Sequence, residues 1–298
     1  MSVVPSPSPQ RATPPGEWAS GDDRVIRLAG LLTTSLVALA VWPIWRYALA
    51  SGNEVPLLVH LNVLGVAVAV LWARRRLPRQ TLDWLPLALG PYLYVALRWV
   101  IEGIGRPHRD ATVMGWERLL FPTNPSATLA PQWASAALSE ALHLAYASYY
   151  AIVLVPPLLL YARGRRDAFA ETMLALVIVY GACYLAYALF PVDGPRYLIG
   201  AAAAPDGPVR SMVLAILEGG SSRGTAFPSS HVAASVVAML CALRHQPRIG
   251  AAVALCAAGL AIATVYGGFH YAVDAAAGAL LGVAAWLFAS RLSARAGS

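Results

Sequence analysis

The chain has 298 residues, 58% hydrophobic and only 12% charged, with a mean hydropathy of +0.58. All 22 basic residues are arginine, the formal net charge is +7, and the arginines fall in short clusters between apolar runs. That pattern excludes a soluble globular domain and speaks against nucleic acid as a partner, because apolar runs of about 20 residues bracketed by arginines mark membrane topology.

Residues 1–23 are rich in Pro and Ser (Pro5-Ser6-Pro7-Ser8-Pro9, Pro14-Pro15-Gly16), so a disordered cytoplasmic tail is expected. They lack the basic start, short apolar stretch and cleavage site of a removable signal peptide, and none is expected. Residues 24–102 hold three expected spans, at about 27–49, 55–73 and 81–101, with Arg74-Arg75-Arg76 and Arg79 before the third. Residues 103–131 break the pattern, being polar and punctuated by Pro107, Pro122, Pro125 and Pro131. Val113, Met114, Trp116, Leu119, Leu120 and Phe121 beside Glu117 and Arg118 fit a short amphipathic helix in the extracytoplasmic interface. An ordinary surface loop is the other reading.

Residues 132–292 hold five more expected spans, at about 133–162, 168–190, 228–243, 249–267 and 270–290. The fold class is therefore all-α, a polytopic membrane bundle of about eight spanning helices. Cys183, Cys241 and Cys256 lie inside apolar runs and read as core residues, not as a disulfide or zinc framework. Eight spans put 14 of the 22 arginines, and every large cluster, on one side of the membrane. By the positive-inside rule that side, with both termini, is cytoplasmic. The 191–224 loop, Pro228–His231 and His270 then share the outer rim. The expected location is a bacterial inner (plasma) membrane.

Two stretches on that rim carry chemistry. In Ala226-Phe227-Pro228-Ser229-Ser230-His231, Pro228 fits a first helical turn, and the N–H groups of Ser229 and Ser230 would face an anion at a positive dipole end. The bland reading is a helix cap. In Phe269-His270-Tyr271-Ala272-Val273-Asp274, His270 and Asp274 at i and i+4 would share one helix face, the carboxylate gripping one imidazole nitrogen. An ionisable Asp274 inside an apolar helix is costly unless it is paired or functional. Arg196, beyond a Pro-Val-Asp-Gly-Pro turn, fits phosphate binding, with lipid-headgroup contact as the alternative. Arg223 divides evenly between those readings. Asp193 either shapes the turn or holds Arg196. Glu140, His143 and the tyrosines near them read as polar glue between helices or as the lining of a lipid groove.

Phe-Pro-Ser-Ser-His and Tyr-Gly-Gly-Phe-His-Tyr-Ala-Val-Asp resemble the second and third signature motifs of the type 2 phosphatidic acid phosphatase superfamily. The resemblance covers roughly 170–290 strongly and 110–165 loosely. It implies a six-helix-type phosphatase core working without cofactor or metal, so that chelator leaves activity intact. It also implies a lipid phosphate substrate, His270 as nucleophile, Asp274 as its partner and His231 as general acid and base. Two departures stand out. The family's first motif carries a Lys that this chain lacks, and Pro195-Arg196 inverts that motif's Arg-Pro order. Ala263-Thr264 occupy the third motif's usual Ser-Arg positions, and Thr264 is similar to the inositol phosphorylceramide synthase branch, whose members transfer a phosphoryl head group. The phosphate clamp must then be rebuilt from Arg196, Ser229, Ser230, Arg223 and Arg98. Hydrolysis of a lipid phosphate is the expected reaction, with transfer to a lipid alcohol as the alternative and a non-catalytic carrier as the reading from another class.

Overall fold

The computed structural model describes residues 20–200 and 202–297. The expected tail lies largely outside the described residues, although Ser20 to Asp23 already belong to the first helix. In chain order the helices are α1 (Ser20–Ser51), α2 (Val55–Ala73), α3 (Arg79–Ile104), α4 (Asp110–Leu120), α5 (Pro125–Gln132), α6 (Ala136–Ala147) and α7 (Tyr149–Ala162). There follow α8 (Arg166–Leu189), α9 (Pro195–Leu198), α10 (Pro208–Gly220), α11 (Ser230–His245), α12 (Pro247–Tyr266) and α13 (Ala272–Gly297). The described chain has no strand, only one isolated parallel bridge, Val192 to Thr225.

The described residues form the expected all-α polytopic bundle, with six to seven helices that by length and composition can span a bilayer, against the eight expected. Six helices (α1, α2, α3, α8, α12 and α13) are long and apolar enough to cross a bilayer, and α6 with α7 makes a seventh if taken together. That pair is bent by 42° at Ser148, whose hydroxyl donates to Ala145 O at 2.6 Å. α11 has 16 residues. At 1.5 Å per residue it rises about 24 Å, short of a ~30 Å hydrocarbon core. It nevertheless runs the length of α8. Glu171 near the start of α8 meets Arg244 and His245 at the end of α11, at 3.0 and 3.1 Å. Tyr187 near the end of α8 meets Pro228 O at 2.8 Å, just ahead of α11.

α8 is the axis. Its residues from Ala168 to Val177 are all buried, and it packs against α1, α3, α7, α11 and α13. The three N-terminal helices therefore join the same bundle instead of standing apart. α11 and α13 lie close because Gly278 and Gly282, one turn apart, expose backbone to backbone. A Cβ on Gly278 would strike Ser229 O, and one on Gly282 would come within 2.6 Å of Ala233 O. This contact brings the start of α11 to the start of α13.

The basic clusters gather at the other end of the bundle. There Arg24 donates to Ala296 O at 2.8 Å, joining the start of α1 to the end of α13. Arg163 donates to Gln246 Oε1 at 3.0 Å, and Tyr161 Oη to Asp83 Oδ2 at 2.9 Å. The stretch 111–121 falls almost wholly in α4, and α5 follows it, which answers the helix-or-loop question in favour of helix. α4 buries Asp110, Val113 and Glu117 on one face and leaves Leu119 and Leu120 exposed on the other.

Candidate active site

His231 lies in the first turn of α11 and His270 in the loop before α13; their ring centroids are 6.0 Å apart. The loop is tight. Gly268 takes a left-handed φ of +68°, and the N–H groups of Phe269 and His270 both return to Thr264 O at 3.0 Å. His270 is thus on a turn and not on the helix, which begins two residues later. The cause is Asp274, the third residue of α13, whose Oδ2 accepts the Tyr271 N–H at 2.8 Å and caps the helix there.

His270 Nδ1 sits 3.0 Å from Ala226 O and 3.6 Å from Asp274 Oδ2. The nearest acceptor for Nδ1–H is therefore a backbone carbonyl, with the carboxylate behind it. Holding the proton on Nδ1 leaves the Nε2 lone pair for an electrophile. Asp274 is fully buried, and its Oδ1 has no hydrogen-bond partner among the described residues. Asp274→Asn should keep the fold, since an amide oxygen still accepts from Tyr271, and should keep the tautomer, since Ala226 sets it. The expected loss in kcat is about 10²-fold, from the missing negative charge beside a forming imidazolium, below the ~10⁴-fold of a site whose carboxylate alone orients the ring. Steady-state rates beside a thermal melt check this; an unchanged kcat would remove Asp274 from the chemistry.

His231 is held by aromatic rings. Its Nε2 lies 3.3 Å from Tyr146 Oη, its ring stacks on Tyr146 at 28°, and Tyr149 packs at 4.4 Å. Arg196 lies on α9 after Gly194, which takes φ +87°. Its Nη1 donates to Ser221 Oγ at 3.1 Å, and Ser221 Oγ also meets Tyr197 Oη at 2.5 Å. Arg196, Ser221, His231 and His270 line one cleft of about 420 Å³, together with Tyr94, Tyr146 and Tyr197. A larger and mainly apolar groove of about 1070 Å³ runs from it between α3, α7, α8 and α10. Cleft and groove share Tyr94, Leu217, Ser221 and His231.

Other expected phosphate ligands are placed differently. Pro228 precedes the helix, following a cis peptide bond, and Ser229 is the N-cap, its Oγ accepting from Val232 N at 3.4 Å. The Ser229 N–H donates to Asp274 O at 3.0 Å and the Ser230 N–H to Tyr187 Oη at 3.0 Å. Both N–H groups thus tie α11 to its neighbours, and Ser230 lines the groove, not the cleft. The Arg223 side chain is 64% exposed, 3.8 Å from Asp193 Oδ2 and over the Tyr197 ring, outside the cleft lining. Arg98 is exposed and likewise outside it. Asp193 shapes its turn: Oδ1 accepts from Gly224 N at 2.9 Å and faces His108 Nδ1 at 2.8 Å. Glu140 accepts from Val209 N and Arg210 N at the start of α10, and His143 bonds Ser139 O at 2.7 Å, so both are structural. Tyr149 and Tyr150 line the groove instead. Thr264 donates to Ala261 O at 2.7 Å and is fully buried.

Ala226 O, Tyr187 and Ser221 are site-building groups that sequence reasoning missed, and Tyr146 reads there only as polar glue or groove lining. A carbonyl carries no residue signature, and the three side chains lie far along the chain from the motifs they serve.

No curated protein and no solved structure was found to match the chain. A family model described as the PAP2 superfamily matches residues 111–288, from the first turn of α4 to well into α13. With both histidines, Arg196 and Asp274 inside that match, which spans more than half of the sequence, the chain belongs to the PAP2 superfamily.

Proposed function

We propose that this protein is an integral membrane lipid phosphatase that hydrolyses a phosphate monoester or pyrophosphate through a phosphohistidine. One observation carries the reading: the polar cleft holding His231, His270 and Arg196 opens into an apolar groove at His231. His270 Nε2 attacks phosphorus in line and becomes imidazolium, stabilised by Asp274. His231 gives its proton to the departing lipid oxygen as the P–O bond breaks. Arg196, fixed by Ser221, draws charge from the equatorial oxygens. Neutral His231 then takes a proton from water, which attacks the phosphohistidine and frees phosphate.

The leaving oxygen is the one attached to the lipid, so the apolar part must lie on the His231 side. Each methylene buried there is worth about 0.8 kcal/mol. Val95→Trp, narrowing the groove at an exposed lining position, should raise KM for a long-chain lipid phosphate roughly tenfold. KM for a short-chain, water-soluble phosphate should stay within about twofold. Equal effects on both would count against the groove.

The bundle end opposite the cleft holds the arginine clusters, which supports cytoplasmic termini and an extracytoplasmic site. A second reading, transfer of the phosphoryl head group to a lipid alcohol, is favoured by the same groove, where an alcohol would meet His231 as base. Phosphate release from a lipid-phosphate panel in detergent, with and without a lipid alcohol, decides between water and alcohol by the mass of any transferred product. A carrier would place ionisable groups near the bilayer middle; here the reactive ones cluster at one rim. Turnover of no lipid phosphate would overturn the phosphatase reading.

A further inference from the structure

We infer that α4 is a brace that sets the spacing between the Arg196 arm and the His270 nucleophile through two buried carboxylates, Asp110 and Glu117. The inference rests on the hydrolytic reading of the cleft. The two residues are seven apart, two helical turns, so their side chains leave the same face. Glu117 is 1% exposed; its Oε1 accepts from Ala272 N and its Oε2 from Val273 N, both at 3.0 Å. Those are the N–H groups lying between His270 and Asp274 in the chain. Asp110 is 8% exposed; its Oδ2 accepts from Asp193 N at 3.0 Å and its Oδ1 from Gly194 N at 2.9 Å. Those are the N–H groups just ahead of Arg196.

Between the two carboxylates, fully buried Val113 packs with Val192, Ala226, Tyr271 and Val273. Arg109 N adds a bond to Pro191 O at 2.8 Å. One rigid helix of 11 residues thus grips the phosphate-binding arm at one end and the nucleophile loop at the other. Neither carboxylate forms an ion pair among the described residues, so backbone N–H groups and, for Glu117, the start of α13 balance the buried charge. Both are positioning residues. A shift of about 1 Å between nucleophile and phosphate ligand is enough to cost about 10²-fold in rate.

The test uses full-length protein in detergent, read as lipid-phosphate turnover and as thermal protection by orthovanadate, a five-coordinate phosphate mimic. In Glu117→Gln one amide oxygen replaces two acceptors, so kcat should fall about 10- to 100-fold with KM within about twofold. In Asp110→Asn the Arg196 arm loosens, and the orthovanadate concentration for half-maximal protection should rise about tenfold. If either variant is not recovered monodisperse, Val113→Ala carries the same test, since it loosens the helix without orphaning a donor. Variants with wild-type kcat and wild-type orthovanadate protection, whatever their melting temperature, would overturn the brace. If wild-type protein turns over no lipid phosphate, the functional reading fails by itself, and the orthovanadate arm still decides the brace.

Discussion

Replacing His270 with alanine is expected to lower kcat on a lipid phosphate by at least ~10⁴-fold, the largest single effect in the molecule. In the proposed reading this imidazole bonds to phosphorus, while Ala226 O holds its other nitrogen at 3.0 Å. Alanine leaves the loop intact, because that turn is built from backbone bonds to Thr264 O and from the cap at Asp274. Folding should therefore persist while turnover does not. A second readout is more direct. Wild-type protein incubated with labelled lipid phosphate and quenched in alkali, where a phosphoramidate survives, should carry label, and His270→Ala should carry none. Label retained on His270→Ala would place the nucleophile elsewhere.

The second large effect is at His231. Its ring is clamped by Tyr146 and Tyr149 and lies where cleft and groove meet, the place the proposed mechanism gives to the departing lipid oxygen. His231→Ala should lose about 10² to 10⁴ in kcat on an alkyl phosphate, the range of general acid–base assistance. An aryl phosphate whose phenolate leaves unprotonated should bypass the acid step. With that substrate the first step recovers while hydrolysis of the phosphohistidine stays slow, because the base for water is missing. The expected signature is a burst of phenolate close to one equivalent, followed by a slow steady state. Equal losses on alkyl and aryl substrates, with no burst, would remove His231 from the proton transfer.

The candidate residues were legible because each breaks a local rule. An aspartate in an apolar helix, a histidine at a helix start, another beside a Gly-Gly joint and an arginine after a rigid turn are costly or unusual unless they serve chemistry. The order of the long spans was legible too, since a bilayer demands a minimum run of apolar residues. The break at Ser148 was not, because the apolar pattern continues through it without Gly or Pro until Pro156. Nor was the displacement of His270 from the helix. The i, i+4 spacing fits a helical face, and only the return bonds to Thr264 O and the Asp274 cap end the helix at Ala272.

What the sequence determined alone is the membrane class, the family motifs and the choice of His231, His270, Asp274 and Arg196 as candidates. Tertiary structure decided everything that depends on backbone groups finding partners far along the chain. It assigned the Ser229 and Ser230 N–H groups to Asp274 O and Tyr187 Oη rather than to an open anion cradle. It gave the His270 Nδ1–H to the Ala226 carbonyl as acceptor, turned Glu117 from an interfacial charge into a cap for the start of α13, and set Asp110 on the turn before Arg196. The physical reason is common to all of these. Buried N–H and C=O groups must be paired, every residue carries them alike, and only the folded chain settles which ones meet.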